Sequence, residues 1–79
     1  MLTYNQKETA ERIRQLRLKQ GWSQEQAAHR LGLTAGSLSR MERGMRGCSV
    51  ELLTCIGALY GVSMDYLVFG RQSEPGMDR

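Results

Sequence analysis

An all-α domain of five short helices is what this chain predicts, and three features predict it. Glycines fall at 21, 32, 44, 47, 61 and 70, and most of the pieces they separate have helix length. A serine or threonine stands where each of the last four helices should begin, at Ser23, Thr34, Ser49 and Ser63, and short hydroxyl side chains satisfy the free N–H groups of a helix start. No stretch alternates apolar and polar residues with the period of two that a half-buried strand needs.

The first helix is expected from about Lys7 to Gln20, with Ile13 and Leu16 turned inward and Gly21 suited to its C-terminal cap. Ser23 caps the second helix, and Gln26 three residues later completes a capping box. That helix should run from Gln24 to Leu31, burying Ala27, Ala28 and Leu31, and Gly32 permits the change of direction after it. Thr34 opens a third helix from Ala35 to about Arg43, whose buried stripe is only Leu38 and Met41. In the fourth, Val50, Leu53, Ile56 and Leu59 recur at helical spacing up to Gly61. Ser63 starts a short fifth helix, Met64 to Phe69, closed by Gly70. Residues 1–70 are expected to form the domain. Residues 71–79, with the single proline Pro75, should be a polar, disordered tail.

Seventy-nine residues make one domain, and a chain of this size buries only about 60% of its unfolded surface. A separate ligand-sensing module is not expected within it. The net charge is +3, but the charge is unevenly placed. Between Arg12 and Arg46 lie eight basic residues against Glu25 and Glu42, a local balance of +6, while the remainder nets −3. Such a segment suits an anionic partner. Cys48 and Cys55 are too few for a disulfide scaffold, and with His29 as the one histidine they do not have zinc-ligand spacing. Cys55 reads as a small core residue, Cys48 as a loop residue and His29 as an exposed side chain of the second helix. No phosphate-binding glycine loop, paired carboxylates or nucleophile motif appears, so neither catalysis nor a cofactor or metal is expected. There is no signal peptide or apolar run of membrane length, and a cytoplasmic protein is expected.

The third helix carries the functional expectation. Ala35, Gly36, Ser37 and Ser39 are small, and Arg40 and Arg43 are basic. A helix with so narrow a buried stripe and so small an outer face can enter the DNA major groove, which is ~12 Å wide. The arginines at its far end would then meet phosphate, where most affinity originates. The same pattern also fits an ordinary amphipathic helix in a small bundle.

Several runs together decide between these readings. They are Ile13-Arg14-Gln15-Leu16-Arg17, Gly21-Trp22-Ser23-Gln24-Glu25, Arg30-Leu31-Gly32-Leu33-Thr34, Ser37-Leu38-Ser39-Arg40-Met41-Glu42-Arg43-Gly44 and Gly61-Val62-Ser63-Met64-Asp65-Tyr66-Leu67. In this order and spacing, over roughly residues 12–70, the chain resembles the phage-repressor and Cro-type (XRE) helix-turn-helix family. The resemblance implies a sequence-specific transcriptional regulator of double-stranded DNA, most simply a repressor or autoregulator. It places Thr34, Ala35, Gly36, Ser37, Ser39 and Arg40 at base edges, Arg40 suited to paired hydrogen bonds with guanine. Gln24, Arg17, Arg43 and Arg46 fall among the backbone-contacting positions. Arg17 also matches one half of an ion pair with Glu42. This chain departs from the family pattern at Gly36 within the recognition helix, at Ala27 where leucine is usual, and at Cys48 where proline is frequent.

The fifth helix holds more apolar side chains than it can hide, so a homodimer is expected through Tyr60, Met64, Val68 and Phe69. Family members bind two half-sites about one turn, ~34 Å, apart. Two other roles suit the same fold: an antitoxin that also holds a partner protein, or an interaction module that has lost DNA binding.

Overall fold

The computed structural model describes residues 4–71. The expected tail, Gln72 to Arg79, lies outside them. Five helices follow in order: α1 (Gln6–Gln20), α2 (Gln24–Leu31), α3 (Ala35–Glu42), α4 (Val50–Tyr60) and α5 (Met64–Phe69). There is no strand among the described residues.

Each helix starts on a side chain that accepts from the N–H three residues ahead: Asn5 for α1, then Ser23, Thr34, Ser49 and Ser63. The capping box of α2 is complete, because Gln26 also accepts from the Ser23 N–H at 2.8 Å. A cap of this kind stabilises a helix by about 1 kcal/mol, which matters for helices of six to eight residues that are marginal in isolation.

The core gathers Ile13 from α1, Ala27 and Ala28 from α2, Leu38 and Met41 from α3, Leu53 and Ile56 from α4, and Leu67 from α5. Trp22 and Tyr60 pack against it with ring centroids 5.8 Å apart, and the Arg30 guanidinium lies 4.2 Å above the Trp22 ring. Arg12 donates to the Leu67 carbonyl at 3.1 Å and so ties α1 to the end of α5.

The buried face of α4 differs from the expected one. Val50 is 69% exposed, and Cys55, read as a core residue, is exposed as well. Leu53 and Ile56 of the expected stripe are buried and Leu59 is half-buried, and Gly57 joins them, with Tyr60 following one turn on. The burial of Gly57 has a specific reason. A Cβ there would stand 2.8 Å from the Val62 carbonyl oxygen. The turn into α5 therefore crosses closely over this glycine, whose missing side chain makes room for it. Cys48, read as a loop residue, is half-buried against the core. Burial pushes its thiol pKa up, with the charge of Arg46 opposing the shift.

Candidate nucleic-acid interface

Three side chains hold α3, and they define which face it leaves free. Leu38 and Met41 are buried in the core, and Glu42 at the last turn is buried with them. A carboxylate in such a place is stable only if it is paired and hydrogen-bonded. Arg17 of α1 supplies the pairing: its Nε donates to Glu42 Oε2 at 2.8 Å and to Oε1 at 3.1 Å. Gln24, the first residue of α2, donates to the same Oε1 at 3.1 Å. Arg17 Nη1 also donates to the Trp22 carbonyl at 2.9 Å. One carboxylate thus clamps the end of α3 to α1 and to the start of α2.

This geometry corrects one expectation. Arg17 is not available to a phosphate. Its side chain is only 10% exposed, and its Nε and Nη1 donate to Glu42 and to the Trp22 carbonyl. Its place is within the ion pair with Glu42, as the family resemblance also implied. Gln24 remains half-buried at the mouth of a cleft of about 490 Å³ that Arg17, Ser23, Glu25 and Ala35 also line. It braces α3 through Glu42 while standing at the surface between the starts of α2 and α3.

The opposite face of α3 is open. Thr34, Gly36, Arg40 and Arg43 are exposed, and Ala35, Ser37 and Ser39 are half-buried. A Cβ placed on Gly36 would meet nothing closer than Arg40 Nη1, at 3.9 Å. Nothing in the domain therefore requires glycine here, and its absent side chain leaves the face flat beside the Arg40 guanidinium.

Beyond Arg43 the chain turns at Gly44, where φ is +76°. The Gly44 N–H donates to the Met41 carbonyl and the Met45 N–H to that of Arg40, at 3.0 and 2.9 Å. These two bonds close the helix in a left-handed glycine cap and fix the direction in which Arg43, Met45 and Arg46 leave it. The first turn of α1 lies against the same loop, which local sequence does not signal. Gln6 Nε2 donates to the Gly44 carbonyl at 2.9 Å, across 38 residues of chain.

The charges divide along the same line. Arg12, Arg14 and Arg71 each face an acidic side chain, Glu8, Glu11 and Asp65 respectively, and Arg17 faces Glu42. Arg40, Arg43 and Arg46 make no ion pair among the described residues. Among the described residues the arginines without an ion pair are thus these three, on α3 and the loop that follows it, and Arg30 of α2, which stacks on Trp22.

A helix-turn-helix family model matches residues 13–67, which hold every element of this arrangement except the first two turns of α1 and the end of α5. The chain belongs to the helix-turn-helix family. Among its relatives is the HTH-type transcriptional regulator ImmR of Bacillus subtilis, 37% identical over 57 residues that make up 72% of this chain and 45% of that protein. The SPbeta prophage-derived HTH-type transcriptional regulator YonR, from the same species, is 31% identical over 86% of this chain and 63% of its own length. The chain spans less than two thirds of either relative. Among solved helix-turn-helix structures, the P22 c2 repressor in complex with a synthetic operator superposes with a TM-score of 0.75 at 28% identity, covering 80% of this chain and 96% of that one. The biofilm master regulator SinR in complex with DNA gives 0.68 at 30% identity, covering 75% and 95%.

The residues expected at a dimer face are spread between core and surface. Met64 is 37% exposed, and Thr54 Oγ1 stands 3.7 Å from its sulfur. Val68 and Phe69 are half-buried, Val68 against the core and Phe69 beneath the Arg71 guanidinium at 5.7 Å. Tyr60 is half-buried with its hydroxyl oxygen buried and unpaired. Burial, and then the nearby Glu42 charge, hold its pKa above the usual value. It offers a partner only part of its ring.

Proposed function

We propose that this chain binds double-stranded DNA with α3 in the major groove and acts as a transcriptional regulator, in its simplest form a repressor. The carrying observation is the free charge. Three arginines without a carboxylate, Arg40, Arg43 and Arg46, stand at the end of a helix whose outer face is small and whose inner face is clamped by Leu38, Met41 and Glu42. The relatives that are transcriptional regulators, and the solved neighbours in complex with operator or DNA, support the reading.

In this arrangement Arg40 reads a base pair, with Thr34, Ala35, Gly36, Ser37 and Ser39 lying close to base edges. Arg43, Arg46 and Gln24 hold the backbone. A homodimer on a palindromic site places two such helices in successive major grooves, with Met64 and the exposed Val50 offering apolar surface for the second copy. The role is binding rather than catalysis. No described helix is long and apolar enough to cross a membrane, and a regulator that meets DNA in this way works in the cytoplasm.

Two substitutions separate reading from holding. Arg40→Ala should cost about 1–3 kcal/mol at a preferred site and relax the preference at one base pair. Arg46→Ala should weaken binding to all duplexes alike and flatten the dependence of log K on log salt by about 0.9. Fluorescence anisotropy against matched and scrambled duplexes over a salt series reads both. Equal binding by wild type and both variants would remove α3 from the interface.

A further inference from the structure

We infer that Lys7, in the first turn of α1, is a further DNA-backbone contact, so that the interface extends from the end of α3 onto the first helix. The inference rests on the DNA-binding reading above and adds a residue that neither the sequence pattern nor the matched segment, residues 13–67, includes.

The geometry begins at Gly44. A Cβ on this residue would stand 3.0 Å from Lys7 Cγ and 3.3 Å from Lys7 Cα, and one on Gly47 would stand 3.0 Å from Gln6 Oε1. With the bond from Gln6 Nε2 to the Gly44 carbonyl, the first turn of α1 lies directly on the loop that carries Arg43 and Arg46. The Lys7 stem packs along Gly44 while the residue as a whole remains exposed. A lysine held in this way keeps its ammonium in water and has fewer stem conformations to lose on binding.

The charge points the same way. Glu8 and Glu11, the carboxylates nearest in sequence, pair with Arg12 and Arg14. Lys7 makes no ion pair among the described residues. It therefore joins Arg43 and Arg46 as a third unneutralised cation around one glycine turn. An ammonium is a point charge without the planar fork of arginine, so its contribution should be to phosphate and independent of base sequence.

The test uses the full chain, a duplex carrying the sequence enriched from a random pool, and a scrambled duplex of equal length. Lys7→Gln and the stem-preserving Lys7→Met should each weaken both duplexes by the same factor, several-fold at moderate salt, and flatten the salt dependence by about 0.9. Lys7→Arg should restore the slope, and Arg14→Gln, which removes a charge paired to Glu11, should leave it unchanged. Thermal midpoints close to wild type would establish that the variants fold. An unchanged slope for Lys7→Gln and Lys7→Met, with a flattened one for Arg46→Ala, overturns the assignment of Lys7 alone. An unchanged slope for all of them overturns the DNA-binding reading together with it.

Discussion

Glu42→Ala should unfold much of the population at physiological temperature. Its side chain is 1% exposed and that of its partner Arg17 only 10%, so the substitution strands a buried guanidinium with the Trp22 carbonyl as its one remaining acceptor. Removing one partner of a buried pair costs about 3–5 kcal/mol, against a total stability of roughly 5–15 kcal/mol for a domain. For a domain of this size the midpoint should fall by more than about 12 °C. The loss is from the stranded charge rather than from the missing attraction, and this makes a second expectation. The double variant Arg17→Met, Glu42→Leu removes both charges and should recover most of the stability, since an apolar pair of similar volume often equals a buried ion pair. It should not recover DNA affinity fully, because Gln24 loses its brace on Glu42. Circular dichroism melting checks both. A shift of only a few degrees for Glu42→Ala would show that the clamp does not hold α3.

Leu38→Ala should cost about 2–5 kcal/mol. Leu38 is fully buried, and Met41 is the only other apolar anchor that α3 has in the core. A helix of eight residues does not stand without packing, so the truncated anchor should release α3 before the rest of the domain. DNA binding should then fail under conditions in which most helical signal persists. Val50→Ala provides the contrast: Val50 occupies an apolar position of the expected α4 stripe yet is 69% exposed, and its loss should stay within about 0.5 kcal/mol. Urea denaturation of the two variants, followed by helical signal and by DNA binding separately, distinguishes them. Equal midpoints would mean that the stripe of α3 is not its support.

The features legible in the sequence are those that local chemistry dictates. Ser23, Thr34, Ser49 and Ser63 each cap the helix expected of them, and Gly21, Gly32 and Gly61 each end one in the left-handed conformation. The stripe of Leu38 and Met41 is buried as expected, with Gly36 and Arg40 exposed on the outer side, but the burial of Glu42 lies outside that stripe. What was not legible depends on partners far along the chain. Along α4, Leu53 and Ile56 are legible as core residues from their helical spacing, whereas Gly57 carries no apolar side chain to signal its burial. That burial depends on the crossing of the Val62 carbonyl over it. By composition alone Arg17 reads as one more cation of a basic segment; the family resemblance implied its pairing with Glu42, 25 residues away, and the fold makes that pair. Gln6 and Lys7 carry no motif at all, and their relation to Gly44 is a product of the closed fold.

Selection of bound sequences from a random duplex pool is the measurement that bears most directly on α3 as a reading helix. Wild type should enrich a palindrome with half-sites about one helical turn apart, carrying a guanine in each half whose preference is lost in Arg40→Ala but kept in Arg46→Ala. Enrichment of no common sequence, or of one that Arg40→Ala enriches equally, would contradict the account.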